Sequence, residues 1–309
     1  MRHHIILSIL LFSVQQAAGQ TLAELERQLD SLLGAQQKSE VSIGIGYGNN
    51  PAYGGKTTDP FRPITMKPFL SPVVSYNHKS GWFASAYGYY LFSANRNPWF
   101  ELDLSTGYDY TKHRNVLTGI SYTRYFYKDS ADVPPTPIKN ELFAYFIFRK
   151  WWLEPGLSVD FGWGKDKLAE KNITGSDFNV IADLRHSFIY MDLLTEDDAI
   201  LIMPVLSFTT GTANYYSNLK SFQYVSRSKL IQKRNRQKKN RGQGQQVVEV
   251  EEIVSDNTGF QPRAVDMSLR MSYLLGKFTL SPSYTLFKML QGEDNNITGY
   301  FTASLSVSF

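Results

Sequence analysis

From Gly299 to Phe309 the chain reads G-Y-F-T-A-S-L-S-V-S-F. Phe301, Ala303, Leu305, Val307 and Phe309 fall on one face, and Tyr300, Thr302, Ser304, Ser306 and Ser308 on the other. Unbroken period-two alternation of this length specifies a β-strand with one apolar and one polar face. The pattern recurs. Val41, Ile43, Ile45 and Tyr47 alternate with Ser42, Gly44, Gly46 and Gly48, and Leu157, Val159 and Phe161 alternate with Ser158, Asp160 and Gly162. Nowhere inside the chain is there a run near the ~18 apolar residues of a membrane helix. If such a chain crosses a bilayer, it does so as a closed barrel, because only closure pairs every backbone group within lipid.

Strand patterns lie near 41–48, 67–78, 81–92, 99–110, 115–127, 138–149, 153–163, 177–191, 199–215, 263–275, 277–288 and 299–309. Their connections alternate in length. Residues 77–80, 111–114, 150–153, 194–198 and 275–277 are short; 49–66, 128–137, 164–176, 216–262 and 290–298 are longer, with 93–98 a short member of the long set. Barrels of the outer membrane show this alternation, with short periplasmic turns and long external loops. Trp82, Trp151 and Trp152 fall at short-turn ends of strands, and Trp99 and Trp163 at long-loop ends, as two interfacial aromatic girdles require. The competing arrangement, an exported soluble sandwich or jelly roll, would place a Trp in its core.

The 299–309 segment resembles the C-terminal signal strand of Gram-negative outer-membrane β-barrels, which ends in Phe after alternating apolar positions. That resemblance implies recognition of Phe301, Leu305, Val307 and Phe309 by the outer-membrane assembly machinery. The expected fold is all-β: an up-and-down antiparallel transmembrane barrel of about 12 strands over 41–309, in the outer membrane.

Residues 1–19 read as a signal peptide: a basic start, an apolar stretch from Ile5 to Val14, and small residues at Ala17 and Gly19. The 20–40 segment changes period. Leu22, Leu25, Leu29 and Leu32 repeat at helical spacing among Glu24, Glu26, Arg27 and Asp30, which predicts a short periplasmic amphipathic helix. It either plugs the lumen or docks a periplasmic or outer-membrane partner, or packs loosely beneath the barrel.

The sequence points to no enzyme. There is no Cys. A Ser–His site needs a base. After signal removal the His residues are His78, His113 and His186, the first two in short turns and the third toward the short-turn end of its strand. At His186 the alternation with Leu184 and Phe188 points the imidazole to lipid, which signals a bulge or register change. No metal-ligand spacing and no phosphate loop occur, so no cofactor or metal is expected. Inward positions instead carry Glu101, Asp103, Asp109, Asp160, Asp183, Arg185, Asp266 and Arg270. These form either a charged pore lining or ion pairs that fill a narrow lumen.

The net charge of +4 is concentrated in the 216–262 loop, where Lys233, Arg234, Arg236, Lys238, Lys239 and Arg241 cluster. Flanking segments 222–231 and 247–254 read as a hairpin extending two strands. An exported compartment argues against nucleic acid. The loop either holds lipopolysaccharide phosphates or an acidic glycan by charge, or is a solvated loop. Two functions follow as expectations: porin-like passage of small solutes through a polar, narrow lumen, or a non-conducting barrel that serves as an accessory subunit or binds at the surface.

Overall fold

The computed structural model describes residues 39–49, 68–92, 97–110, 112–113, 115–128, 138–168, 171–195, 198–212, 260–290 and 297–309. The expected 20–40 helix, apart from its last two residues, lies outside them, as do the hairpin and basic cluster of the 216–262 loop.

The strands are β1 (Glu40–Gly48), β2 (Phe69–Asn77), β3 (Trp82–Leu91), β4 (Trp99–Tyr110), β5 (Val116–Tyr127), β6 (Asn140–Phe148), β7 (Glu154–Leu168), β8 (Lys171–Arg185), β9 (Phe188–Met191), β10 (Asp198–Gly211), β11 (Gln261–Leu275), β12 (Phe278–Met289) and β13 (Ile297–Ser308). Each neighbouring pair is antiparallel, and β1 pairs with both β2 and β13, so the sheet closes on itself. β8 and β9 both pair with β10 and together make one stave, which gives a closed 12-strand barrel. Closure leaves no edge strand, the condition for a sheet to lie in lipid.

Alternation decides which side faces out. Ile43, Val74, Leu104, Ile120, Leu157, Leu206 and Leu305 are exposed on the outer surface, and their sequence neighbours turn inward. An exterior belt of this kind has no core to pack against in water; lipid is the environment that satisfies it. Trp82, Trp99, Trp151 and Trp152 are likewise exposed at strand ends, Trp152 by 72%. None is a sandwich core residue.

One expectation is corrected, and the irregularity expected at His186 is found. The sequence reads 164–176 as a loop, but the β7–β8 ladder continues through Trp163–Ser176 to Leu168–Lys171. The residues at its tip, K-D-K-L-A-E-K-N-I-T from Lys165 to Thr174, show no apolar alternation to reveal it. The 177–191 strand is interrupted at His186 and Ser187. There His186 stacks on Trp152 at 4.4 Å between ring centroids and its Nδ1 lies 2.5 Å from the Trp152 carbonyl oxygen. Alternation with Leu102 and Leu104 on β4 would turn Phe100 outward, but it is 1% exposed. Tyr89 pairs with Glu101 and Tyr90 with Trp99, so Phe100 is the extra residue of a bulge. It turns inward beside Tyr89, 6.2 Å between centroids.

A second bulge lies at the same rim. Thr209 pairs with Ala264 and Thr210 with Pro262, which leaves Arg263 as the extra residue. Its guanidinium donates to the Gly211 carbonyl at 2.7 Å and the Thr212 carbonyl at 2.6 Å, satisfying acceptors where β10 ends. At the opposite rim the turns are tight. Gly81 has φ +105° and a Cβ there would meet the Asp109 carbonyl; Gly276 has φ +56° in the β11–β12 turn.

Candidate functional site

The lumen has two unlike walls. One is smooth. Following hydrogen-bonded partners sideways from β13, Ser308 pairs with Ser42, Ser42 with Ser75, Ser75 with Ser85, Ser85 with Ser105, and Ser105 with Thr123. Six neighbouring strands thus each place a hydroxyl in one row. Because barrel strands are tilted, the row climbs from the short-turn rim toward the long-loop rim. It ends on Glu141, the partner of Thr123. Ser42 and Ser308 hydroxyls are 3.0 Å apart, and those of Ser105 and Thr123 2.8 Å. Next to this row lie Gly44, Gly46 and Gly48, with Ser304 and Thr302 across from them. At Gly46 a Cβ would make only ordinary contacts, whereas at Gly48 the Phe69 ring already occupies the space.

The other wall, from β4 to β11, carries the charges and rings. The Tyr125 hydroxyl donates to Glu141. Tyr125 stacks on Tyr127 at 5.9 Å, and Phe143 on Tyr145 at 6.0 Å. The Tyr145 hydroxyl donates to Asp109 Oδ1 at 2.7 Å. Arg185 donates twice to Asp183 Oδ2, from Nε at 2.8 Å and Nη2 at 2.5 Å. Glu101, Asp103, Asp160, Asp183 and Asp266 are buried from outside solvent. Glu101 Oε2, Asp266 Oδ1 and Ser268 Oγ have no hydrogen-bond partner among the described residues. A carboxylate in that position keeps its charge only beside water or a cation.

All eight inward candidates therefore occupy lumen-facing positions, but not as one cluster. Glu101, Asp103 and Asp160 lie toward the long loops, joined by Glu141 and Asp177. Arg185 and Arg270 lie toward the short turns, with Asp183. Asp109 belongs to the short-turn end through Tyr145. The long-loop third is also the most filled, with Phe69, Leu91, Phe100, Ile138 and Phe287 all buried.

Glu141 and Tyr125 were not foreseen. On β6 the inward face reads Glu141, Phe143, Tyr145, Ile147, while Leu142 and Phe146 face lipid. Both faces are apolar or aromatic, so a polar-inside rule has no contrast to use. The Thr123–Glu141 pairing follows only from register.

One carboxylate outside the lumen is also well held. Asp198 closes the 192–198 turn at the short-turn rim and accepts the backbone N–H groups of Leu193, Leu194 and Thr195 at 2.8, 3.0 and 3.2 Å, and the Tyr273 hydroxyl at 3.2 Å. Its enclosure acts to raise the carboxyl, but these donors outweigh it and hold the group below its ordinary value.

A closed antiparallel barrel with an apolar outer belt, aromatic rims, short turns at one end and a polar interior defines an outer-membrane β-barrel protein, and the outer membrane is its location. No protein-family model and no curated protein sequence matches the chain. Among solved structures, the KdgM porin is 8% identical over 87% of this chain and 99% of its own, with a TM-score of 0.43. The translocator domain of the autotransporter NalP from Neisseria meningitidis is 10% identical over 92% and 93%, with a TM-score of 0.46. The beta domain of the Bordetella autotransporter BrkA is 12% identical over 88% and 98%, with a TM-score of 0.40. Likenesses of this size say nothing of solute or partner.

Proposed function

We propose that the barrel lets small polar solutes cross the outer membrane along the smooth hydroxyl wall, with a preference for cations. One observation carries this reading: Arg270 is inward-facing and well inside β11, yet exposed to water. Water therefore reaches the short-turn half of the wall from within. The preference follows from charge placement. Toward the long loops the lumen gathers Glu101, Asp103, Glu141, Asp160 and Asp177. A low-dielectric passage lined by one sign of charge concentrates the opposite ion.

The test is planar-bilayer recording with the refolded full chain under a KCl gradient. Discrete conductance steps and a reversal potential displaced toward that of K⁺ are expected. Glu101→Gln with Asp103→Asn should move that potential toward zero. Well-folded protein that yields no steps would sink the proposal.

A second reading has its own support. The buried Phe69, Leu91, Phe100, Ile138 and Phe287 fill the long-loop third of the lumen. On this reading the barrel does not conduct, and serves as an accessory subunit or a surface-binding protein through its external loop. Co-purification of a partner from gently solubilised membranes, lost on deleting 222–254 or 21–37, would favour it.

A further inference from the structure

The β11–β12 seam is interrupted. Arg270 pairs with Ser283, but the ladder resumes only at Tyr273–Leu280. Pro282 lies within this gap and has no N–H to donate. Ser272 and Ser281 bridge the gap by their hydroxyls, 3.0 Å apart. A cavity of about 220 Å³ opens at this point. Its wall is divided by chemistry. Leu201 and Met203 of β10 supply its apolar side on the lumen face, where Arg270 stands as the partner of Met203; Met271 and Pro282, which also line it, alternate onto the lipid face. Among the described residues Arg270 makes no hydrogen bond or ion pair. Asp266 and Asp183 are near enough to be felt, and Arg185 adds a second positive charge.

We propose that this cavity binds a small organic monoanion with a hydrocarbon body, its carboxylate on Arg270 and its apolar part against Leu201 and Met203. An exposed guanidinium with five unengaged donors is the group that best takes a carboxylate, by two parallel hydrogen bonds. An apolar floor beside it distinguishes this site from one for a bare ion. Leu201 and Met203 alternate inward with Leu206 and Phe208 on the lipid face, which puts apolar surface beside the guanidinium. The cavity is smaller than the roughly 300 Å³ at which drug-sized sites begin, which limits the body to a short chain or a single ring.

The methionines supply the test. The full chain, refolded in detergent with [methyl-¹³C]Met, is titrated with hexanoate, and with hexanol and acetate as controls. A saturable shift of the Met203 methyl is expected with hexanoate alone, while Met267 and Met271 on the lipid face stay in place. Arg270→Gln should weaken hexanoate binding by at least about tenfold, the loss of one charge-assisted contact, and Arg270→Lys should retain part of it. Heat-modifiable migration of both variants establishes that they fold. Equal response to hexanol, or parallel shifts at Met267, would overturn the site, the first showing an apolar hollow and the second detergent partitioning. The readout does not require conduction, so it stands or falls apart from the pore.

Discussion

Single glycines decide how much of the lumen is open. At Gly46 a Cβ would meet only Ser71 at 3.5 and 3.6 Å and the Ala303 carbonyl at 3.8 Å, which is ordinary contact. At Gly44, two residues away on the same face, a Cβ would fall 2.9 Å from both the Leu305 carbonyl and Ser306 Cβ. The first glycine is space facing the lumen, and the second is required by the closing seam. Gly46→Phe should therefore fold normally and lower single-channel conductance by roughly twofold or more, since a 12-strand lumen is narrow. Gly44→Phe should reduce the yield of heat-modifiable barrel. Equal conductance for Gly46→Phe and the unaltered protein would exclude passage along the smooth wall.

At the scale of elements, the 192–198 turn is organised by one acceptor. Asp192 in it adopts φ +53°, a strained conformation for a residue with a Cβ. Asp198 holds the turn closed through three backbone donors. Its carboxyl is lowered on folding, so the folded state favours the ionised form. The resulting stabilisation is complete above the unfolded carboxyl value of ~3.9 and is lost as pH falls through the lower folded value. Asp198→Asn should lower the temperature at which the barrel converts to its unfolded gel mobility. The gap to the unaltered protein should be constant from about pH 8 to about pH 5 and close below ~3.9. A gap that persists unchanged into strong acid would show that the carboxylate charge is not what closes the turn.

Elements also mark where the sequence was readable. β1 and β13 could be drawn residue by residue, because lipid on one side and a wet lumen on the other impose contrast at every position. Where contrast fails, reading fails. Lys165 to Thr174 in the β7–β8 hairpin set no apolar face against a polar one. β6 is aromatic on both faces. The bulges at Phe100 and Arg263 each insert one residue among neighbours whose polarity gives no count. The lumen charges were legible by parity, but their separation into an acidic long-loop half and an arginine half was not. That separation depends on the stagger of every strand pair around the barrel.

The whole molecule depends on one seam joining its two ends. Val41 donates to the Phe309 carbonyl at 3.1 Å and Phe309 to the Val41 carbonyl at 2.9 Å, so the last residue exchanges a pair of hydrogen bonds with the first stave. The Phe309 ring is 65% exposed on the outer surface, with Lys277 Nζ 5.8 Å from its centroid. No described residue buries that ring, and the backbone bonds are indifferent to the side chain. Its stabilising contact is a surface cation–π pair of about 0.5–1 kcal/mol, too little to explain a strict need for an aromatic residue. If an aromatic is needed, the need arises before closure, when an unpaired strand must be recognised. Phe309→Asp should then leave export intact but sharply reduce the heat-modifiable barrel in the outer membrane. Lys277→Ala, which removes the same folded-state contact, should assemble at normal levels. Matching losses in the two variants would assign the effect to the contact and not to recognition. Normal assembly of Phe309→Asp would end the case for a C-terminal signal strand.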